Sequence, residues 1–128
     1  MLSLNIVTHN VRGYNNSLKK QLWEDFCLSH NYNIISLTET KLTNSKSKFF
    51  NTQHFTYHLS NSASSIEGTG IMLSNNLILH IHKIFKHEGG AISIDFFFKH
   101  NFKFRIISVY LSSTDISCRN STQTKVSQ

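Results

Sequence analysis

A chain of 128 residues is long enough for one domain and one core, not two. A hydrophobic content of 39%, with ten Phe, argues for a packed protein rather than a disordered one. Thirteen Lys and Arg against seven Asp and Glu give a net charge of +6, which favours an anionic partner, with nucleic acid the commonest class.

The first segment, "LSLNIVTHN", alternates Leu2, Leu4 and Ile6 with Ser3, Asn5 and Val7 and reads as a strand. "VRGYNNS" follows, with Gly13 and a cluster of Asn and Ser that suits a turn. Asn16 or Ser17 can cap a helix running to about His30. Leu18, Leu22, Phe26, Trp23 and Cys27 form its apolar stripe, with Lys19, Lys20, Glu24 and Asp25 expected to face water. "NIISLTE" is too short for a helix and too apolar for a surface strand, so it reads as a buried strand. Strand, helix and strand in this order predict a crossover that places both strands in one sheet.

Beyond it, "TGIMLS", "LILHIHKI", "AISIDFFF" and "FKFRIISVYL" are short β-prone runs separated by turn residues, the last two forming a hairpin across Lys99 to Asn101. The plan is α+β, with about six strands and one clear helix. From Ser112 onward the chain is polar and reads as a loop or frayed end. Cys27 and Cys118 show no CxxC spacing and read as a core thiol and a tail thiol. No secretory signal and no membrane-length apolar run is visible, so the expectation is an intracellular protein, the nucleus included, that is neither secreted nor in a membrane. The sequons at Asn15 and Asn120 therefore carry little weight.

One stretch asks for chemistry. In "IISLTETKL" an apolar strand ends on Glu39, the only acid between Asp25 and Glu67. If the first two strands are parallel neighbours, Asn10 ends the first on the same rim. A carboxylate and a carboxamide suit Mg²⁺, which completes its shell with water and phosphate and can polarise a phosphodiester. From the residues alone, a strand-end Glu bonded to a loop and a turn-forming Asn10 is the favoured reading, because one acid does not make a metal site. His80 and His82, two apart, would share a strand face, but no third ligand stands near them and a surface pair is the simpler reading.

"LNIVTHNVRGYNNSLKKQLWEDFCLSHNYNIISLTETKL" closely resembles the opening of the endonuclease/exonuclease/phosphatase (DNase I-like) superfamily, most of all the endonuclease domains of non-LTR retrotransposons. "GTGIMLS", with Thr69 between Gly68 and Gly70, and "RIISVYL" resemble later landmarks, so the resemblance spans residues 2 to about 113. It implies a DNase I-like four-layer α/β sandwich, partial here, over 1–113, with a polar tail at 114–128. It implies a Mg²⁺-dependent phosphodiesterase in which Glu39 ligates the metal, Asn10 holds the phosphate or metal network and Tyr110 points a phenol at the scissile phosphate. Lys41 matches the "E-T-K" pattern and serves as well as a solvated lysine. The later "G-D-F-N" and "S-D-H" motifs do not occur, and neither Asp95 nor Asp115 replaces them; "YLSS", Leu111 to Ser113, departs from the usual loop after the Tyr. The chain therefore resembles the N-terminal half of such a domain, and Phe96, Phe98 and Phe104 are expected to lack part of their cover.

The function implied is a truncated DNA endonuclease-like enzyme, inactive alone. The alternatives are a non-catalytic basic module that binds nucleic acid, and a retroelement remnant without function. Phosphoinositide phosphatases share the opening, so resemblance and charge together are what favour DNA as partner.

Overall fold

The computed structural model describes residues 3–42, 51–60, 68–87 and 90–109. Tyr110 and the polar tail fall outside them. Strand β1, Ile6–Asn10, runs into the Val11–Gly13 turn and helix α1, Ser17–Ser29. Asn16 caps that helix, its side-chain oxygen accepting from the Lys19 N–H at 3.0 Å. Strand β2, Ile34–Thr38, lies parallel to β1, with Ile6 opposite Ile34 and Asn10 opposite Thr38. The helical crossover makes that parallel pairing possible.

Strands β3, Phe55–Ser60, and β4, Thr69–Ser74, complete the first sheet in the order β1-β2-β4-β3. A 3₁₀ turn over Asn75–His80 leads to β5, Ile81–His87, which joins β6, Ala91–Phe98, and β7, Phe102–Val109, in an antiparallel second sheet. The β6–β7 hairpin turns where expected, with His100 (φ 63) and Asn101 (φ 59) both left-handed. The described residues thus hold seven strands. The additional one is β3, whose alternation of Phe55, Tyr57 and Leu59 with Thr56 and His58 carries the strand period.

These elements form three layers: helix, sheet, sheet. Under α1, the first sheet buries Ile35, Leu37, Tyr57 and Met72 together with Cys27 of the helix. Between the sheets, Ile34, Ile71 and Leu73 meet Ile92, Ile94, Phe96 and Phe98. The architecture is a partial DNase I-like α/β sandwich. No helix among the described residues is long and apolar enough to cross a membrane.

Three expectations need correction. Phe96 and Phe98 are buried, and Phe104 partly so, because the inner face of the first sheet already covers them. The helix stripe is turned: Leu18, Leu22 and Phe26 point outward at 66%, 60% and 45% exposure, while Glu24 and Cys27 are buried. Trp23 stacks on His9 with ring centroids 3.9 Å apart, and Glu24 accepts from the Thr52 hydroxyl at 2.6 Å. Those contacts fix a face about one residue, or 100°, from the Leu-Leu-Phe row. Third, "LILHIHKI" is not one strand. His80 ends the 3₁₀ turn and stacks on Phe98, whereas His82 sits at a β-bulge beside Phe97, so the two do not share a face.

Exposed apolar groups lie on more than one face, among them Leu18, Leu22 and Phe26 on α1 and Ile6 on β1. Among the described residues β1 is one edge of the first sheet and β7 one edge of the second, and a mouth between the sheets there is lined by Ile6, Thr8, Ile106 and Val109. Ile6 is 51% exposed although its strand partner Ile34 lies in the inter-sheet core. Unpaired edges and apolar patches promote association. The isolated chain should self-associate with concentration, and Ile6→Lys combined with Leu22→Lys should raise the monomer fraction in sedimentation velocity without lowering Tm. A monomer at all concentrations would contradict this.

His58, in β3, has its pKa lowered by burial and by the Lys86 charge, and its Nε2 lacks a hydrogen-bond partner among the described residues. His9 is lowered too, by burial and then by Lys19. A depressed imidazole is protonated more readily in the unfolded chain. Stability should therefore be full above the ordinary value of 6.5 and fall as pH drops toward the folded values. His58→Gln should flatten the decline in Tm below that pH; an unchanged slope would remove His58 as its cause.

Candidate active site

The rim at the C-terminal ends of β1 and β2 is built mostly by backbone. Val11 N–H donates to the Thr38 carbonyl at 3.0 Å, Gly13 N–H to Glu39 at 2.6 Å, and Tyr14 N–H to Thr40 at 2.9 Å. The turn after Asn10 is thereby laced to the segment carrying Glu39. Arg12 (φ 49), Gly13 (φ 95), Glu39 (φ 54) and Lys41 (φ 55) are all left-handed. For non-glycine residues that conformation costs about 1 kcal/mol or more each and is held only by its surroundings.

Those surroundings can be named. Thr40, between the two left-handed residues, is fully buried, and its N–H donates to the Gly68 carbonyl at 3.3 Å. Gly68 is itself left-handed (φ 116), and a Cβ there would collide with the Thr40 hydroxyl. On the other side, the Lys19 ammonium donates to the Val11 carbonyl and lies 3.5 Å from that of Arg12. Lys19 thus clamps the turn from the helix.

Asn10 is exposed, and its side-chain oxygen accepts from the Arg12 N–H at 3.1 Å. Glu39 is half-buried, and Lys41 is exposed, with its stem lying across the turn: a Cβ on Gly13 would sit 3.7 Å from Lys41 Cδ. Asn10, Glu39 and Lys41 therefore share one rim, as the sequence suggests. His9 faces the helix instead, stacked on Trp23. Tyr110 lies outside the described residues.

A carboxylate and a carboxamide oxygen carried at one strand end are donor types a hard cation takes, and the Asn10 oxygen keeps a second lone pair beside its bond to Arg12. Glu39 and Asn10 are the residues that would hold Mg²⁺ here, and the bound ion would supply charge stabilisation at a phosphate. Among the described residues no three His, Cys, Asp or Glu side chains converge on a point. Water or substrate oxygens would have to fill the remaining positions.

One feature under the rim is absent from the sequence reading. Ser36 and Ser108 hydroxyls lie 2.6 Å apart, Ser108 and Thr69 hydroxyls 2.7 Å apart, and Thr69 donates to the Leu37 carbonyl at 2.9 Å. This chain of hydroxyls bonds β2, β4 and β7 across the inter-sheet gap and anchors the strand that leads to Tyr110. Its one sequence signal is a Ser in an otherwise apolar run, at Ser36 and again at Ser108.

No family model matches the chain, and no curated protein sequence does. Solved structures do. An AP endonuclease from Leishmania major superposes with a TM-score of 0.70 at 15% identity, over 97% of this chain and 43% of that one. A humanized D. rerio TDP2 gives 0.65 at 14% identity, over 97% and 54%. The APE2 catalytic domain of Xenopus laevis gives 0.59 at 14% identity, over 94% and 49%. At these identities the likeness is one of fold, and the fold is the DNase I-like one. The chain spans about half the length of each.

The packing at Gly68 makes a test. Gly68→Ala places a methyl against the Thr40 hydroxyl in a left-handed backbone, and should cost about 2 kcal/mol or more. Gly13→Ala meets only the mobile Lys41 stem and should cost about 1 kcal/mol. Thermal melts that reverse this order would show that Thr40 and Gly68 do not hold the rim.

Proposed function

We propose that the chain is the N-terminal portion of a Mg²⁺-dependent phosphodiesterase that cuts DNA, and that it is inactive without a complementary portion. The observation that carries the reading is Glu39 in a left-handed backbone, laced by Gly13 to the turn that presents Asn10. Backbone strain of this kind is found at functional positions as well as in turns, and here it falls on the one acid of the strand end. The fold shared with a structure named AP endonuclease supports a nuclease, and the net charge of +6 supports a nucleic-acid substrate. In this reading Glu39 and Asn10 hold the metal, Lys41 adds positive charge for the phosphate, and Tyr110 serves the scissile group. The resemblance to non-LTR retrotransposon endonucleases supports a chain of that kind.

Glu39 is the one carboxylate on the rim among the described residues, which supports a second reading, a basic module that binds nucleic acid without cutting it. One experiment separates them. The chain is fused to a complementary C-terminal portion carrying "G-D-F-N" and "S-D-H", and nicking of supercoiled plasmid is followed with Mg²⁺. Glu39→Gln should lower the rate by roughly 100-fold or more, because a lost ligand or acid-base group acts on the transition state. The same preparation should melt within about 0.5 kcal/mol of the parent. The unfused chain should not nick. Unchanged turnover in the Glu39→Gln fusion would remove Glu39 from the site.

A further inference from the structure

Glu24 is a buried acid for which the rim chemistry has no use. It is 7% exposed and lies under α1 against the first sheet. The Thr52 hydroxyl donates to its Oε1 at 2.6 Å, and the Tyr57 phenol of β3 bonds the same carboxylate. The Tyr57 hydroxyl lies 3.0 Å from that of Tyr14. Lys20, one helical turn before Glu24, supplies the countercharge, its ammonium 5.2 Å from the Tyr57 ring centre.

The order of donors follows from counting protons. An ionised carboxylate only accepts, and a phenol carries one hydrogen. Tyr57 therefore gives its hydrogen to Glu24 and accepts that of Tyr14. Burial pushes both phenols above their ordinary range, so both keep the hydrogens this order needs. Tyr14 in turn follows Gly13 in the rim turn. Its N–H donates to the Thr40 carbonyl at 2.9 Å, and that of Gly13 to the Glu39 carbonyl at 2.6 Å. The relay thus runs from a buried charge to the backbone that sets Glu39.

We propose that Glu24 is a positioning residue for the rim, acting through the Tyr57 and Tyr14 hydroxyls to hold the turn that follows Asn10 and fixes Glu39. The role rests on the reading of that rim as the reactive site, but the mechanical link is measurable without any reaction. A buried charge is costly, and apolar residues of similar volume often serve stability as well or better. Packing alone does not ask for a carboxylate here. A charged acceptor makes stronger hydrogen bonds than a neutral one and polarises those that follow it. Such directional bonds fix distances where Arg12, Glu39 and Lys41 are held in left-handed backbone against their own preference. All these contacts lie in the core under α1, so they do not depend on what packs against the outer surfaces of the chain.

Tyr14→Phe tests the link with least damage. It keeps the ring and leaves the Tyr57–Glu24 bond intact, so the chain should melt close to the parent. Amide hydrogen exchange of the whole chain, followed by NMR, should show Gly13 and Tyr14 exchanging roughly tenfold faster or more, while the amides of β4 keep their rates. Glu24→Gln leaves one accepting oxygen where two stood, and should loosen the same two amides first. In the chain fused to a complementary C-terminal portion, Tyr14→Phe should slow Mg²⁺-dependent nicking roughly 10-fold. If the fused parent does not nick, the reading of the rim fails, and the exchange rates still decide the link. Unchanged exchange at Gly13 and Tyr14 in both variants would overturn the proposal. So would a uniform rise at all amides with a lower Tm, which is what a cluster serving stability alone would give.

Discussion

The parallel pairing of β1 with β2 is the constraint on which the rest depends. Parallel neighbours need a crossover, and α1 supplies it, so both strands end at the same edge of the sheet. Asn5 and Asn33 fix the other end reciprocally: Asn5 N–H donates to the Asn33 side chain and Asn33 N–H to the Asn5 carbonyl, both at 2.9 Å. With the start pinned, the register has no freedom. Asn10 must stand opposite Thr38, and the residue that follows β2 is Glu39. An antiparallel pairing would have sent the two side chains to opposite ends of the sheet.

Holding that rim open requires rigid material beneath it. Tyr14 and Tyr57 supply some, their hydroxyls 3.0 Å apart in the core under α1, with both phenols pushed well above their ordinary range by burial. Cys27 lies in the same cluster, and burial raises its thiol to about 12, so it packs as a small apolar group rather than reacting. On the opposite side of the sheet, the Ser36–Ser108–Thr69 hydroxyls do what apolar contacts cannot. They are directional, so they fix the height of β7 against β2 as well as its distance. Aliphatic side chains at those positions would tolerate sliding.

Much of this was legible in the sequence. Alternation gave β1, the Asn16 cap gave the start of α1, and "KHN" gave the β6–β7 hairpin, because each is a local preference acting over a few residues. Glu39 and Asn10 were legible as rim partners because parallel topology follows from the order of elements. The facing of α1 was not. Leu18, Leu22 and Phe26 form the better apolar row, yet Trp23 on His9 and Glu24 on Thr52 decide the rotation, and both contacts are with residues distant in sequence. The left-handed backbone at Glu39 was equally hidden, since it depends on Gly68 packing on Thr40 from another strand. His80 and His82 failed as a same-face pair for a related reason: a bulge breaks the two-residue period without leaving a glycine or proline to mark it.

Strand β7 shows how one element can serve two surfaces without compromise. Its alternation sends Lys103, Arg105 and Ile107 to the outer face, and Phe104, Ile106 and Ser108 to the gap between the sheets. The inward set changes from apolar to hydroxyl as the strand approaches the rim, where Ser108 meets Thr69 beside the end of β2. The outward set remains cationic at the hairpin end and turns apolar toward the rim. The two surfaces are tied through one backbone, whose pairing to β6 runs unbroken from Phe102 to Val109. A strand held along its whole length on one side and by hydroxyls beneath cannot shift at one surface alone, so any movement there would be that of the whole second sheet.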